Sequence, residues 1–561
     1  MGNTYLAIAP PGQEGWLRDS RNSAQLPKTR RRGGGSEESL GHSHPGAPSL
    51  DAPPLLSRRG NCFLAAVVFV GLLAVELRAQ APATDINRRE VDGSTPLQWA
   101  VYRDDVAEAQ RLLKAGANVK LANNYGITPM VLASDIANPA MIKLLLDAGA
   151  DANSANLDGQ TALLAVARTG NVEAAELLVK HGAKIDARER FGGQTALMWA
   201  SARRHPKMMQ FLISKGADVN ARSTARDYQR HVQAEGRPKN LDSGGFTPLL
   251  YAVRENCQAC VKVLLDSKAD INLPDPDGVS PLLLSILNTN WDISKQLILA
   301  GADVNQWDIF GEAPLFTSIG VRNQNGGRGT IDAPNETNGT AIVHMLLERG
   351  ANPNMQLFFR PANLNGVTNT RGSTPLIRAV AAADMEMIKL LLEHKADATL
   401  TLADQQTTII AAISGRASET QAIEIVRMMR EAGADVNTVA LVNHRLDSRG
   451  GTALHYAVRK RWKEMIKTLA SYGINMNAKD QDGLTALDYT QGRGYMAFMA
   501  LQTPVYKDEA TLLRELGATE MLANNPDWPI LGPPQGIEED IWPLGDSRAY
   551  RPFYTHVSKG N

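Results

Sequence analysis

The chain has 561 residues, 43% hydrophobic and 21% charged, with 59 Lys+Arg against 59 Asp+Glu. That is ample for a large folded core, and zero formal net charge removes the basic footprint of a general nucleic-acid binder. Three cysteines exclude a disulfide framework and leave at most one local bridge, Cys257–Cys260.

Residues 1–60 are rich in Gly, Pro, Ser and Arg without an apolar period, and predict a disordered leader. Residues 61–81 read as a signal peptide or a short membrane anchor. Cys62–Val75 is fourteen residues without a charge, against the roughly 20 that a membrane span needs. It fits the apolar core of a secretion signal, and Leu77-Arg78-Ala79-Gln80-Ala81 supplies small residues for cleavage near Ala79 or Ala81. The alternative is an uncleaved anchor through 62–75. So long a leader places the expected working start after Met1.

From residue 85 to 520 one unit recurs. Its clearest copy is Gly193–Asn220. Thr195 predicts a helix N-cap, with Ala196, Leu197, Trp199 and Ala200 on a short helix. Arg203-Arg204-His205 is a polar turn, and Pro206 suits the first position of a second helix. Met209, Phe211, Leu212 and Ile213 form that helix's apolar stripe. Gly216 ends it in a left-handed cap before Ala217-Asp218-Val219-Asn220. The opening triplet returns at Thr95, Thr128, Thr161, Thr247, Ser280, Ala313, Thr374, Thr407, Thr452 and Thr485, many steps being 33 residues. Tyr125-Gly126, Asp158-Gly159, Asp277-Gly278 and Asp482-Gly483 mark hairpin-like fingers between units.

A 33-residue helix–turn–helix unit with T-P-L-x-x-A and G-A-D-x-N resembles the ankyrin repeat, and Thr452-Ala453-Leu454-His455-Tyr456-Ala457 is the closest match. The resemblance implies an all-α solenoid of about eleven units, each too small to bury its apolar face alone. It implies a protein–protein interaction scaffold rather than an enzyme. The secretion signal and the T-P-L-x-W-A units look like bacterial ankyrin proteins of the envelope.

Irregular steps locate insertions: a finger insert from Ser223 to about Leu241, one around Gly320–Thr337, and one in the finger after Gly350. Five more residues fall between the helices of the ninth unit and seven in its finger, and eleven lie around Gly492–Lys507. The insert Ser223–Asp242 carries Arg226 and Arg230 and leans basic, which suits a solvated loop or a groove for an acidic partner. The fifth motif position holds Trp99, Trp199, Tyr251, Tyr456 and Tyr489, an aromatic stripe suited to binding or to half-burial between units. Trp307, in a finger, is the expected exposed contact.

Cys257-x-x-Cys260 lacks the His of a haem site and a second ligand pair for zinc, and reads as core packing, with a local bridge as the oxidised alternative. Asn335-Glu336-Thr337 and Asn338-Gly339-Thr340 match glycosylation acceptors. No catalytic constellation, cofactor motif or metal motif is found. Residues 521–561 leave the period with Trp528, Trp542, Tyr550, Phe553 and Tyr554, as a cap or an extended arm. The expectation is a monomeric, non-catalytic protein-binding scaffold, periplasmic or secreted, or else membrane-anchored outside the cytoplasm. The alternatives are a dedicated regulator or inhibitor of one enzyme or toxin, and a redox or metal protein using Cys257 and Cys260.

Overall fold

In the computed structural model, the described residues are 85–519 except 226–243, 323–336, 359–370, 442–449, 482, 492–494, 497–500 and 503–504. They form eleven antiparallel helix pairs in chain order. The first four units are Pro96–Tyr102 with Val106–Lys114, Pro129–Ile136 with Pro139–Asp147, Ala162–Thr169 with Val172–Lys180, and Ala196–Ala202 with Pro206–Ser214. Units 5 to 8 are Pro248–Arg254 with Gln258–Asp266, Pro281–Leu287 with Trp291–Leu299, Pro314–Arg322 with Gly339–Glu348, and Pro375–Ala381 with Met385–Glu393. Units 9 to 11 are Thr408–Ser414 with Glu419–Glu431, Ala453–Lys460 with Lys463–Ser471, and Ala486–Thr490 with Lys507–Glu515. Tyr495–Met496 and Leu501–Gln502 pair as a short antiparallel hairpin inside unit 11.

The motif chemistry sets each helix pair. The side chains of Thr128, Thr161, Thr195, Thr247 and Ser280 accept a backbone N–H from the first helical turn, satisfying a donor the helix itself leaves open. Pro206 sits at the start of its helix. Second helices end on a left-handed residue, Gly216 at φ 91° and Gly433 at φ 98°. In units 5 and 8 that residue is Lys268 (φ 60°) or Lys395 (φ 65°).

First helices pack on first helices of the next unit throughout, and second helices pack on second helices through units 1 to 7 and again through units 9 to 11. Leu97 at one end and Leu513 at the other belong to one continuous apolar core. This is the stacking that a unit unable to fold alone requires. The unit 9 insertion lies mainly in its second helix, which has 13 residues where neighbours have nine. The expected longer turn is therefore largely an extra helical turn. The finger insert with Arg226 and Arg230 lies outside the described residues, as do most of the other inserts, the leader, the signal segment and 521–561.

Successive fingers are joined by backbone bonds, including Asn124 N–H to Asp92 (3.0 Å), Thr224 N–H to Gly192 (2.6 Å) and Ile309 N–H to Asp277 (2.9 Å). A second chain of bonds runs through the Asn of G-A-D-x-N. The Asn305 carboxamide accepts from Asn352 N–H at 2.7 Å and donates to the Gly350 carbonyl at 3.0 Å. Asn153, Asn354 and Asn437 repeat both bonds.

Candidate functional site

The fifth motif position divides the stack. Trp99 and Trp199 are half-buried on their first helices. Tyr251 is 1% exposed, and its hydroxyl accepts from Gln194 Nε2 at 2.6 Å. Tyr456 and Tyr489 are buried too, and Tyr489 donates to Asp480 Oδ2 at 2.8 Å. Of the two readings of this position, burial between units is the one seen at Tyr251, Tyr456 and Tyr489, and the expectation of Tyr251 as a partner contact is corrected. Their rings fill the space between neighbouring units, and Tyr251 and Tyr489 have internal hydrogen-bond partners. Burial first, then the Asp480 charge, hold the Tyr489 phenol well above its usual range.

Unit 8 has Arg378 at the same position. Its guanidinium lies 4.5 Å over the Phe316 ring, with buried Glu312 as the opposing charge. Burial lowers it to about 10, so it stays protonated at neutral pH. His455 is likewise internal. Its Nδ1 accepts from Thr452 N–H and its Nε2 faces the Leu484 carbonyl, each at 3.1 Å. Burial holds it down at about 4, in the neutral form.

The exposed large apolar side chains concentrate at the N-terminal end. Tyr102 (45%) and Ile136 (43%) lie on the first helices of units 1 and 2, beside half-buried Trp99 and Leu132. Trp99 and Tyr102 meet edge to face at 5.9 Å. Val91, Tyr125, Leu157 and Phe191 stand exposed at four successive finger tips. Their turns are held by local chemistry: the Asn123 side chain accepts from Tyr125 and Ile127 N–H, and the Asn156 side chain from Asp158 and Gln160 N–H. Asp135 and Arg168 pair at 3.0 Å near this surface, and burial raises the Asp135 pKa despite the arginine. Trp307 is 39% exposed and packs edge-on against Phe358 at 5.0 Å.

Cys257 and Cys260 are joined as a disulfide, with Cα atoms 5.2 Å apart. Both residues are buried, as core packing requires, and the bridge is the oxidised alternative of the sequence reading. Cys257 Sγ also accepts from Cys260 N–H, in place of a helix-capping hydroxyl. So buried a bridge is inaccessible to a partner's thiolate, which favours structure over redox exchange. Among the described residues no group of three or more His, Cys, Asp or Glu is arranged to hold a metal.

A family model for ankyrin repeats in three copies matches residues 64–156, 132–223, 229–308 and 333–440, and a single-repeat model matches 449–481. The chain belongs to the ankyrin repeat family. The ankyrin stack is similar to an "Ankyrin repeat, SAM and basic leucine zipper domain-containing protein 1" of Dasypus novemcinctus, 32% identical over 18% of this chain and 20% of that protein. It is also similar to "Ankyrin repeat protein nuc-2" of Neurospora crassa, 26% identical over 32% of this chain and 16% of that one. The chain thus spans a fifth or less of these relatives' own length. A shorter likeness, 37% identical, links 10% of this chain to 8% of "Palmitoyltransferase AKR1" of Saccharomyces cerevisiae. Among solved structures, the ankyrin repeat domain of Bcl-3 is 25% identical, covering 46% of this chain and 99% of that one at a TM-score of 0.35. An ankyrin repeat domain from Acinetobacter baumannii is 28% identical, covering 37% and 98% at a TM-score of 0.32.

The first family match begins at residue 64, inside the segment read as a secretion signal. Asp85-Ile86-Asn87 repeats, ahead of the first helix pair, the D-x-N spelling that closes later units. Ile86 packs against the core, and the Asn87 side chain accepts from Asn118 N–H at 2.8 Å. That spelling was the available sequence signal for this bond. Ankyrin repeats are a protein-interaction architecture, and their stacked surfaces offer extended binding faces.

Proposed function

We propose that this ankyrin protein is a non-catalytic protein-binding scaffold of a bacterial envelope, acting as a monomer in the periplasm or outside the cell. The carrying observation is the cluster of exposed apolar side chains on units 1 to 4, with Tyr102 and Ile136 on the helices and Tyr125, Leu157 and Phe191 on the fingers. Exposed apolar side chains gathered on the first four units, in a stack whose later Tyr251, Tyr456 and Tyr489 are buried, support a partner site there. The extracytoplasmic reading draws support from the apolar segment Cys62–Val75, the small residues at Ala79 and Ala81, and the Cys257–Cys260 disulfide. Cleavage there would leave Asn87 and its bond to Asn118 in place.

Cell fractionation with N-terminal sequencing tests the placement. The expected result is a chain beginning close after Ala79 or Ala81 in the extracytoplasmic fraction. An intact leader on cytoplasmic protein would overturn it.

A further inference from the structure

The run Arg459-Lys460-Arg461-Trp462-Lys463 spans the last residues of the first helix of unit 10, the two-residue turn Arg461-Trp462 and the first residue of the second helix. Arg461 takes a left-handed φ of 59°. Lys460 and Arg461 are exposed, yet both cations are held over rings. Lys460 Nζ lies 4.8 Å from the Trp462 centroid, and Arg461 Cζ lies 5.1 Å from that of Tyr506. Lys460 also donates to the Gly415 carbonyl of unit 9 at 3.2 Å.

The local carboxylates do not balance this edge. Arg461 meets Glu509 at 3.3 Å and Lys463 meets Asp508 at 2.9 Å. Glu419 accepts from Met465 N–H. Arg459 and Lys460 have no carboxylate partner among the described residues. The edge therefore presents excess positive charge beside aromatic surface, a combination suited to carboxylates flanked by apolar side chains.

We propose that this edge docks the chain's own C-terminal segment Ile537-Glu538-Glu539-Asp540-Ile541-Trp542. The segment carries consecutive acids between isoleucines and a tryptophan, the complement of the edge. The tether reaches. Thr519 is fixed by its N–H bond to Asn477 at 2.9 Å. From there the edge is about one nine-residue helix away, roughly 14 Å. The chain from Thr519 to Glu538 can span up to about 60 Å. Such a tether holds the segment at an effective concentration on the order of millimolar, so a weak contact suffices. The proposal concerns units 9 to 11 and stands apart from the partner surface of units 1 to 4.

Limited proteolysis of the full chain, read by mass spectrometry, tests it. Compared are the wild type, K460E/K463E, E538K/E539K/D540K, and the two sets combined. Either reversal is expected to raise the cleavage rate of 520–561 about tenfold, and the combination to return it to within about twofold of wild type. The segment reversal touches no residue of the stack, so it remains informative if the edge variant folds poorly. Unchanged cleavage on reversing the segment, or no restoration by a folded combination, would overturn the proposal. So would binding of the wild type to phosphatidylcholine vesicles containing phosphatidylglycerol that is lost in K460E/K463E, which assigns the edge to an anionic lipid surface.

Discussion

The Nε2 of His455 and the carbonyl of Leu484 lie 3.1 Å apart, tying the first helix of unit 10 to the finger that follows it. Gln98 does the same work in unit 1: its Oε1 accepts from Thr95 N–H and its Nε2 donates to the Ile127 carbonyl. Both side chains close a capping box and brace the next finger.

The pH dependence follows. Burial holds folded His455 at about 4, against an ordinary 6.5. The unfolded chain takes up the proton first, so this neutral histidine's contribution is full above pH 6.5 and is lost as pH falls toward 4. The loss is on the order of 3 kcal/mol by about 1.4 kcal/mol per unit. His455→Gln, which can keep both bonds as Gln98 does, should stay within about 1 kcal/mol of wild type at pH 7. It should flatten the stability loss between pH 6.5 and 4. Urea melts at stepped pH measure both, and equal slopes in the two proteins would count against this assignment.

The side-chain ladder along the fingers is interrupted at Lys120 and Thr399, where G-A-D-x-N lacks its Asn or Asp. Lys120→Asn and Thr399→Asn should each stabilise by up to about 1 kcal/mol, by adding bonds to the next unit. Asn305→Ala should cost about 1–2 kcal/mol by removing two. Denaturation midpoints of the three variants check the signs.

Lys268 and Lys395 occupy left-handed positions that Gly fills in most other units. Both are exposed. Lys268→Gly and Lys395→Gly should each stabilise by about 0.5–1 kcal/mol, because the missing Cβ removes the strain. A lower melting midpoint would show that unfolded-chain entropy outweighs it.

The Cys257–Cys260 bridge should be intact in protein isolated without reductant, leaving it lighter by the mass of two hydrogens than the reduced chain. Intact mass spectrometry before and after reduction checks this. Thiol reagents should label these positions only after reduction, and given their burial only once unfolding opens the bridge to the reductant.

Much of the fold was legible because it rests on local chemistry. Thr195 as a cap, Pro206 at a helix start and Gly216 in a left-handed stop each act within a few residues. The candidate surface was less so. Whether an aromatic at the fifth position faces water depends on what the neighbouring unit offers. Gln194 claims Tyr251 and Asp480 claims Tyr489, while Trp99 remains partly open. Exposure at Tyr125, Leu157 and Phe191 depends on finger stacking, which a 33-residue period marks but does not display. The extra turn of the unit 9 helix and the basic run at Arg459–Lys463 were spelled in the sequence, but their placement needed three dimensions.

The central claim is that a protein partner grips the apolar surface of units 1 to 4. Quantitative affinity capture from the native envelope, comparing wild type with the quadruple variant Tyr102→Ser, Tyr125→Ser, Leu157→Ser and Phe191→Ser, tests it most directly. The variant should keep the wild-type circular dichroism spectrum and lose the specifically captured protein at least about tenfold, while Leu299→Ser on unit 6 retains it. Equal capture by the folded quadruple variant would contradict the account.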